Sequence, residues 1–217
     1  MGDKSSDILN DEYDFSDELE QMRSMPQRTF SLLLIILGIV AFCASMALSI
    51  EKYLKLADPD RVTSCSFNLF LDCADAMASR QGAIFGFPNP LIGVAAFAVV
   101  VTIGVVLYTG AKLPQWFMRS LFIGTTLGLV LIVFLMYTSI HTLGRLCPYC
   151  MVVWAMMLPL FWYQLVYGAQ ERYLPVSDKA RTSLMKNKHF VAPLLYVAVI
   201  IWIFVGMGSE IIYYIQN

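Results

Sequence analysis

Four of the chain's five cysteines form two pairs, Cys65 with Cys73 and Cys147 with Cys150. Two dithiols in one chain are what is needed to pass an electron pair from one disulfide to another, provided the sulfurs can touch. Cys147-Pro148-Tyr149-Cys150 is a C-x-x-C at the start of a long apolar run. Backbone N–H groups at a helix N-terminus favour a thiolate there, and the thiolate is the attacking species. No His follows Cys150, which excludes c-type haem attachment. Cys65 and Cys73, eight residues apart in a polar loop, suit a shuttle that meets a soluble partner at one end of its travel and the C-x-x-C at the other. The same two residues also suit a passive staple. A third reading is a non-enzymatic membrane protein that holds zinc or copper through these thiols, although a four-cysteine zinc site usually draws on two short knuckles and only one is present. Cys43, in the middle of an apolar run, reads as a small hydrophobe.

The elements that must position these sulfurs are membrane helices. Of 217 residues, 58% are hydrophobic and 14% charged, against about 25% charged in an average globular chain, and the mean hydropathy is +0.65. Uncharged runs lie near 29–50, 87–109, 120–140, 147–168 and 190–209, each close to the roughly 20 residues that span a hydrocarbon core. Their continuous apolarity is that of helices and not of a β-barrel. The expected fold class is therefore all-α, a four-helix transmembrane bundle plus a fifth transmembrane helix. Two of the spans separate the cysteine pairs, so both pairs emerge on one membrane face.

Charge sets the expected orientation. With the N-terminus in the cytosol, ten of the fifteen Lys and Arg residues lie inside, which the positive-inside rule favours. The paired cysteines then sit outside, where disulfides persist. A net charge of −1 excludes a nucleic-acid partner. Residues 1–28 read as an acidic, disordered cytosolic tail, 29–168 as the core with an outer loop at 51–86, 169–189 as a basic cytosolic loop, and 190–217 as the fifth span with a short outer tail. About 28 residues, their charges mostly acidic, precede the first run, so it reads as a retained helix and not as a cleaved signal. The stretch 74–85 suits an interfacial helix lying over the bundle. A C-x-x-C at a membrane boundary needs an electron acceptor that reaches it, and a lipid-soluble quinone in an apolar, aromatic pocket is the natural one.

The ordered set Cys65, Cys73, Ser79, then Gly86-Phe87-Pro88-Asn89-Pro90-Leu91-Ile92-Gly93, then Cys147-Pro148-Tyr149-Cys150 resembles the bacterial homologues of vitamin K epoxide reductase, in the form without a fused thioredoxin-like domain. The likeness covers about residues 30–165. It implies that a separate DsbA-like, thioredoxin-fold partner reduces the loop disulfide at Cys65, that Cys73 attacks Cys147, and that Cys150 delivers electrons to a bound quinone such as menaquinone or ubiquinone, without a metal. It further implies a quinone pocket at Ser79, Phe87 and Asn89, with Trp154 one turn after the C-x-x-C, where animal enzymes carry Tyr. The activity implied is a quinone-dependent, disulfide-generating oxidoreductase of the cell membrane. The DsbB type, the other membrane oxidase family of equivalent function, orders its cysteines the opposite way.

The remaining candidates are weaker. His141, in the short connection before Cys147, is a candidate proton relay, although loop histidines are more often only solvated. Arg80 and Arg145 are cations placed to lower a thiol pKa or to anchor the interface. His189 sits among basic residues at a helix end, and the methionines read as flexible packing.

Overall fold

Backbone amides in hydrocarbon have no water to bind, so spanning segments must satisfy them internally. The chain does so with helices throughout. The computed structural model describes residues 24–66 and 72–216; the acidic segment 1–23 lies outside them. Helix α1 runs Gln27–Ala57, a short α2 Cys73–Ala78, α3 Asn89–Tyr108, α4 Gln115–Thr138, α5 Pro148–Gln170, α6 Asp178–Lys186 and α7 Val191–Gln216. Five of these, α1, α3, α4, α5 and α7, are long and apolar enough to cross a membrane. The protein is an all-α, multi-pass membrane protein.

The bundle is built on α1, which packs along α3 and α5, while α4 and α7 lean on α5. Phe30, Leu34 and Ala41 of α1, Phe97 and Val100 of α3, and Trp154, Leu160 and Val166 of α5 are buried in one core. Close approach of α1 and α3 depends on Gly104: a Cβ there would stand 3.1 Å from Leu34 Cβ and 2.9 Å from Ile35 Cγ1. Small residues serve in this way where lipid supplies no hydrophobic drive between helices. At one end, Gln27 Nε2 donates to the carbonyls of Leu107 (2.9 Å) and Ala111 (3.0 Å), where α3 finishes. Gln170 clasps the backbone of Met25 there through both its amide oxygen and nitrogen. Alternate helix ends thus meet, as the up-and-down topology requires.

The opposite end departs from the sequence reading in three places. Helix α1 continues past its apolar run to Ala57, because its charged last turns are tethered: Glu51 accepts from Ser64, Lys52 donates to the Met77 carbonyl, and Lys55 to that of Arg61. The expected interfacial helix at 74–85 is two pieces, α2 and a 3₁₀ turn over Arg80–Ala83. Ser79 breaks it by donating to Ala76 O and accepting from Gly82 N. Third, α4 does not stop before His141 but continues as a π-helical turn over Ser139–Leu143, which shortens the connection to α5. Within the basic segment 169–189, α6 forms behind the Ser177 cap.

Replacing Gly104 with Val should drive α1 and α3 apart at a cost of about 1–3 kcal/mol, typical of overpacking. The expected readout is a lower thermal unfolding midpoint in detergent; an unchanged midpoint would contradict this packing.

Candidate active site

Two local features carry the cysteines to one point. Asp72 accepts a hydrogen bond from Ala74 N at the start of α2 (2.8 Å) and another from Ser66 Oγ, as a capping carboxylate does. Its own N–H donates to the carbonyl of Leu146 at 3.1 Å. That backbone hydrogen bond sets Cys73 beside Cys147, since each follows one of the two joined residues. The two sulfurs lie 3.1 Å apart. Arg145 meets Asp72 at 3.6 Å, a partly exposed ion pair of small value alone that reinforces the same register.

Cys65 and Cys73 are joined in a disulfide, while Cys147 and Cys150 are thiols. Cys65, Cys73 and Cys147 are all but inaccessible, at 1%, 0% and 0% exposure, so in this arrangement thiol chemistry runs between them and not with solvent. Cys147 caps α5. Its thiol is held below the ordinary range chiefly by a hydrogen bond from the Cys150 thiol, with backbone N–H groups of Cys150 and Tyr149 adding; burial and the Asp72 carboxylate act in the opposite sense. The result is a nucleophile closer than van der Waals contact to a disulfide sulfur. Attack of Cys147 on Cys73 makes a Cys73–Cys147 bond and releases Cys65, and the reverse step uses the same geometry.

Behind the sulfurs lies a cavity of about 470 Å³ walled by α1, α3, α4 and α5. Cys150 and Trp154 line it from α5, Ser79 and Asn89 from the cysteine end, and Lys52 is the one charged residue of the lining among the described residues. Although α3 and α4 are consecutive, they scarcely touch, and the cavity runs between them. Thr125 of α4 hydrogen-bonds to Gln164 of α5, which fixes the far wall. Such a volume, mostly apolar with a few polar groups, fits a neutral lipophilic ligand.

The structure therefore gathers Cys65, Cys73, Cys147 and Cys150 at one place, with Ser79, Asn89 and Trp154 on the adjoining cavity. Asn89 is buried; its Oδ1 accepts from Ile84 N (3.0 Å) and its Nδ2 donates to Gln81 O (2.6 Å), so it holds the cavity roof. One Nδ2 hydrogen remains for a ligand. Phe87 is not among the lining residues; it is 45% exposed and stacks with Phe85. His141 is also outside the lining: its Nε2 accepts from Trp202 Nε1 at 3.1 Å. Cys43 is exposed in the middle of α1 and is not among the lining residues. Asp72, Glu51 and Ser64 escaped sequence reasoning. For Asp72 a signal existed, an acidic cap residue directly ahead of a helix-compatible run.

Fold and site together fit a membrane redox enzyme. The pattern of the vitamin K epoxide reductase family matches residues 32–165, and the chain belongs to that family. No curated protein matches the chain. Among the described residues, no group of three or more His, Cys, Asp or Glu side chains is assembled to hold a metal ion.

In reduced protein, Cys150→Ala should move the pH profile for alkylation of Cys147 to higher pH, because it removes the largest stabiliser of the thiolate. Cys150→Ser, which keeps a donor, should move it less. An unchanged profile in Cys150→Ala would contradict the assignment.

Proposed function

We propose that the protein oxidises a dithiol partner outside the cytosol and passes the electron pair to a membrane quinone. The observation that carries this reading is the 3.1 Å approach of Cys73 to Cys147 beside an apolar cavity that Cys150 lines. A thiolate of a separate, DsbA-like, thioredoxin-fold protein attacks Cys65; the Cys65–Cys73 bond breaks and Cys73 leaves as a thiolate. The partner's second thiolate resolves the mixed disulfide, so the partner departs oxidised and Cys65 is freed. Cys73 attacks Cys147 of the oxidised inner pair, and Cys150 is released toward the cavity. Cys65 then attacks Cys73, which re-forms the outer disulfide and returns Cys147 as a thiolate. The inner pair, now holding two electrons, closes again as those electrons and two protons leave for the quinone. One partner dithiol becomes one disulfide, and one quinone becomes one quinol.

The chain's own residues supply the setting for this. Cys150 stands at the cavity wall, Trp154 offers a flat apolar face one turn further along α5, and Asn89 has a free N–H for a carbonyl oxygen. Menaquinone and ubiquinone both satisfy this chemistry. The gap between α3 and α4 is a lateral way in from lipid. The N-terminus lies in the cytosol and the cysteine end faces outward, in keeping with the distribution of Lys and Arg. Because Cys65 is buried, its loop must lift for a partner to reach it.

The test is quinone reduction by full-length protein in lipid discs, with a reduced thioredoxin-fold protein as donor. Quinol should appear in equal amount to partner disulfide. Cys73→Ser, Cys147→Ser and Cys150→Ser should each abolish it, and Cys43→Ser should leave it intact. Dithiol oxidation that proceeds at full rate without quinone, or in Cys150→Ser, would overturn the proposal.

A further inference from the structure

Pro159 stands inside α5, the helix that begins with the C-x-x-C. Proline has no N–H, so the carbonyl of Ala155, four residues earlier, loses its ordinary helical donor. In hydrocarbon such a carbonyl must find another partner or the helix is weakened. It finds one on α7: the Tyr196 hydroxyl donates to Ala155 O. Ala155 lies less than two turns from Cys150, so this defect sits within the C-x-x-C's own helical segment.

A second contact joins α7 to the other side of the same motif. The π turn Ser139–Leu143 immediately precedes the connection to Cys147, and π turns persist where surrounding structure holds them. Gly206 lets α7 press on it: a Cβ at Gly206 would stand 2.2 Å from Ile140 Cγ2, and Ile140 is 2% exposed. One turn away, Trp202 Nε1 donates to His141 Nε2. Indole only donates, so His141 is held as the tautomer protonated on Nδ1. Helix α7 lies beyond the residues 32–165 that the family pattern covers.

We propose that α7 is a positioning element of the redox core, with Tyr196 the key positioning residue. By repairing the backbone at Pro159 and clamping the π turn through Gly206 and Trp202, it holds Cys147 in line with Cys73. Its catalytic consequence rests on the thiol-exchange reading above; its structural consequence does not.

The test is a double-mutant cycle in full-length protein carrying Cys43→Ser, Cys65→Ser and Cys150→Ser, so that only Cys73 and Cys147 can join. Tyr196→Phe should slow formation of the Cys73–Cys147 disulfide by oxidised glutathione, which leaves as two glutathione thiols, about threefold, the size of an average interhelical hydrogen bond in a membrane protein. Pro159→Ala restores an N–H to the Ala155 carbonyl, and in that background Tyr196→Phe should have no effect. Equal slowing in both backgrounds, or in neither, would overturn the proposal, since a hydroxyl that merely packs is not made dispensable by an amide on another helix. Thermal midpoints of the same four proteins keep two failures apart. Coupling in the midpoints with no Cys73–Cys147 disulfide in the parent would support the role of α7 and sink the thiol-exchange reading; no coupling in either readout would sink the role of α7.

Discussion

The contact between Cys73 and Cys147 is the interaction on which the rest of the molecule depends. Sulfur exchange needs approach along a narrow line, and the two residues are 74 positions apart in sequence. Two membrane crossings bring the segments to the same end of the bundle; one backbone hydrogen bond, Asp72 N–H to Leu146 O, then sets the register. Because both sulfurs are buried, the disulfide and the Cys147 thiol face each other without competing solvent thiols. Cys150 brings the inner pair to the cavity wall. Loop, helix cap and cavity thus meet at one end of the bundle.

Burying irregular backbone at a membrane boundary is costly unless every polar group finds a partner. The cysteine end is built almost entirely from such substitutions. Ser79 and Asn89 satisfy the broken helix at 80–84, the charged turns of α1 bind the loop around Cys65, and Tyr196 covers the gap at Pro159. Ser79 and Asn89 therefore serve architecture as well as any ligand. A change at either would disturb the cavity roof before it disturbed a single ligand contact, a point that matters when mutant activities are interpreted.

Much of this was legible in the sequence. Composition and run length specify five helices because hydrocarbon accepts little else, and an even number of crossings between the cysteine pairs requires them to share an end. The order of cysteines with the Gly86–Gly93 segment pointed to the family that the pattern at 32–165 then showed. What could not be read was non-local. Asp72 looks like any loop acid until Leu146 arrives opposite it, and His141 looks like a loop residue because the π turn that contains it is stabilised by Gly206 and Trp202, more than 60 residues away. Phe87 sits in a segment that carries the resemblance, yet its side chain stacks on Phe85 and not on the cavity. Side-chain direction at a chain reversal is decided by tertiary neighbours, which spacing does not encode.

The most direct measurement is disulfide mapping by mass spectrometry of full-length protein in which Cys65 alone is replaced by Ala, isolated under mild oxidation. Freed from its first partner, Cys73 should be found linked to Cys147, with Cys150 a free thiol. Recovery of an intact Cys147–Cys150 disulfide with Cys73 unpaired, or of Cys73 bonded elsewhere, would contradict the account.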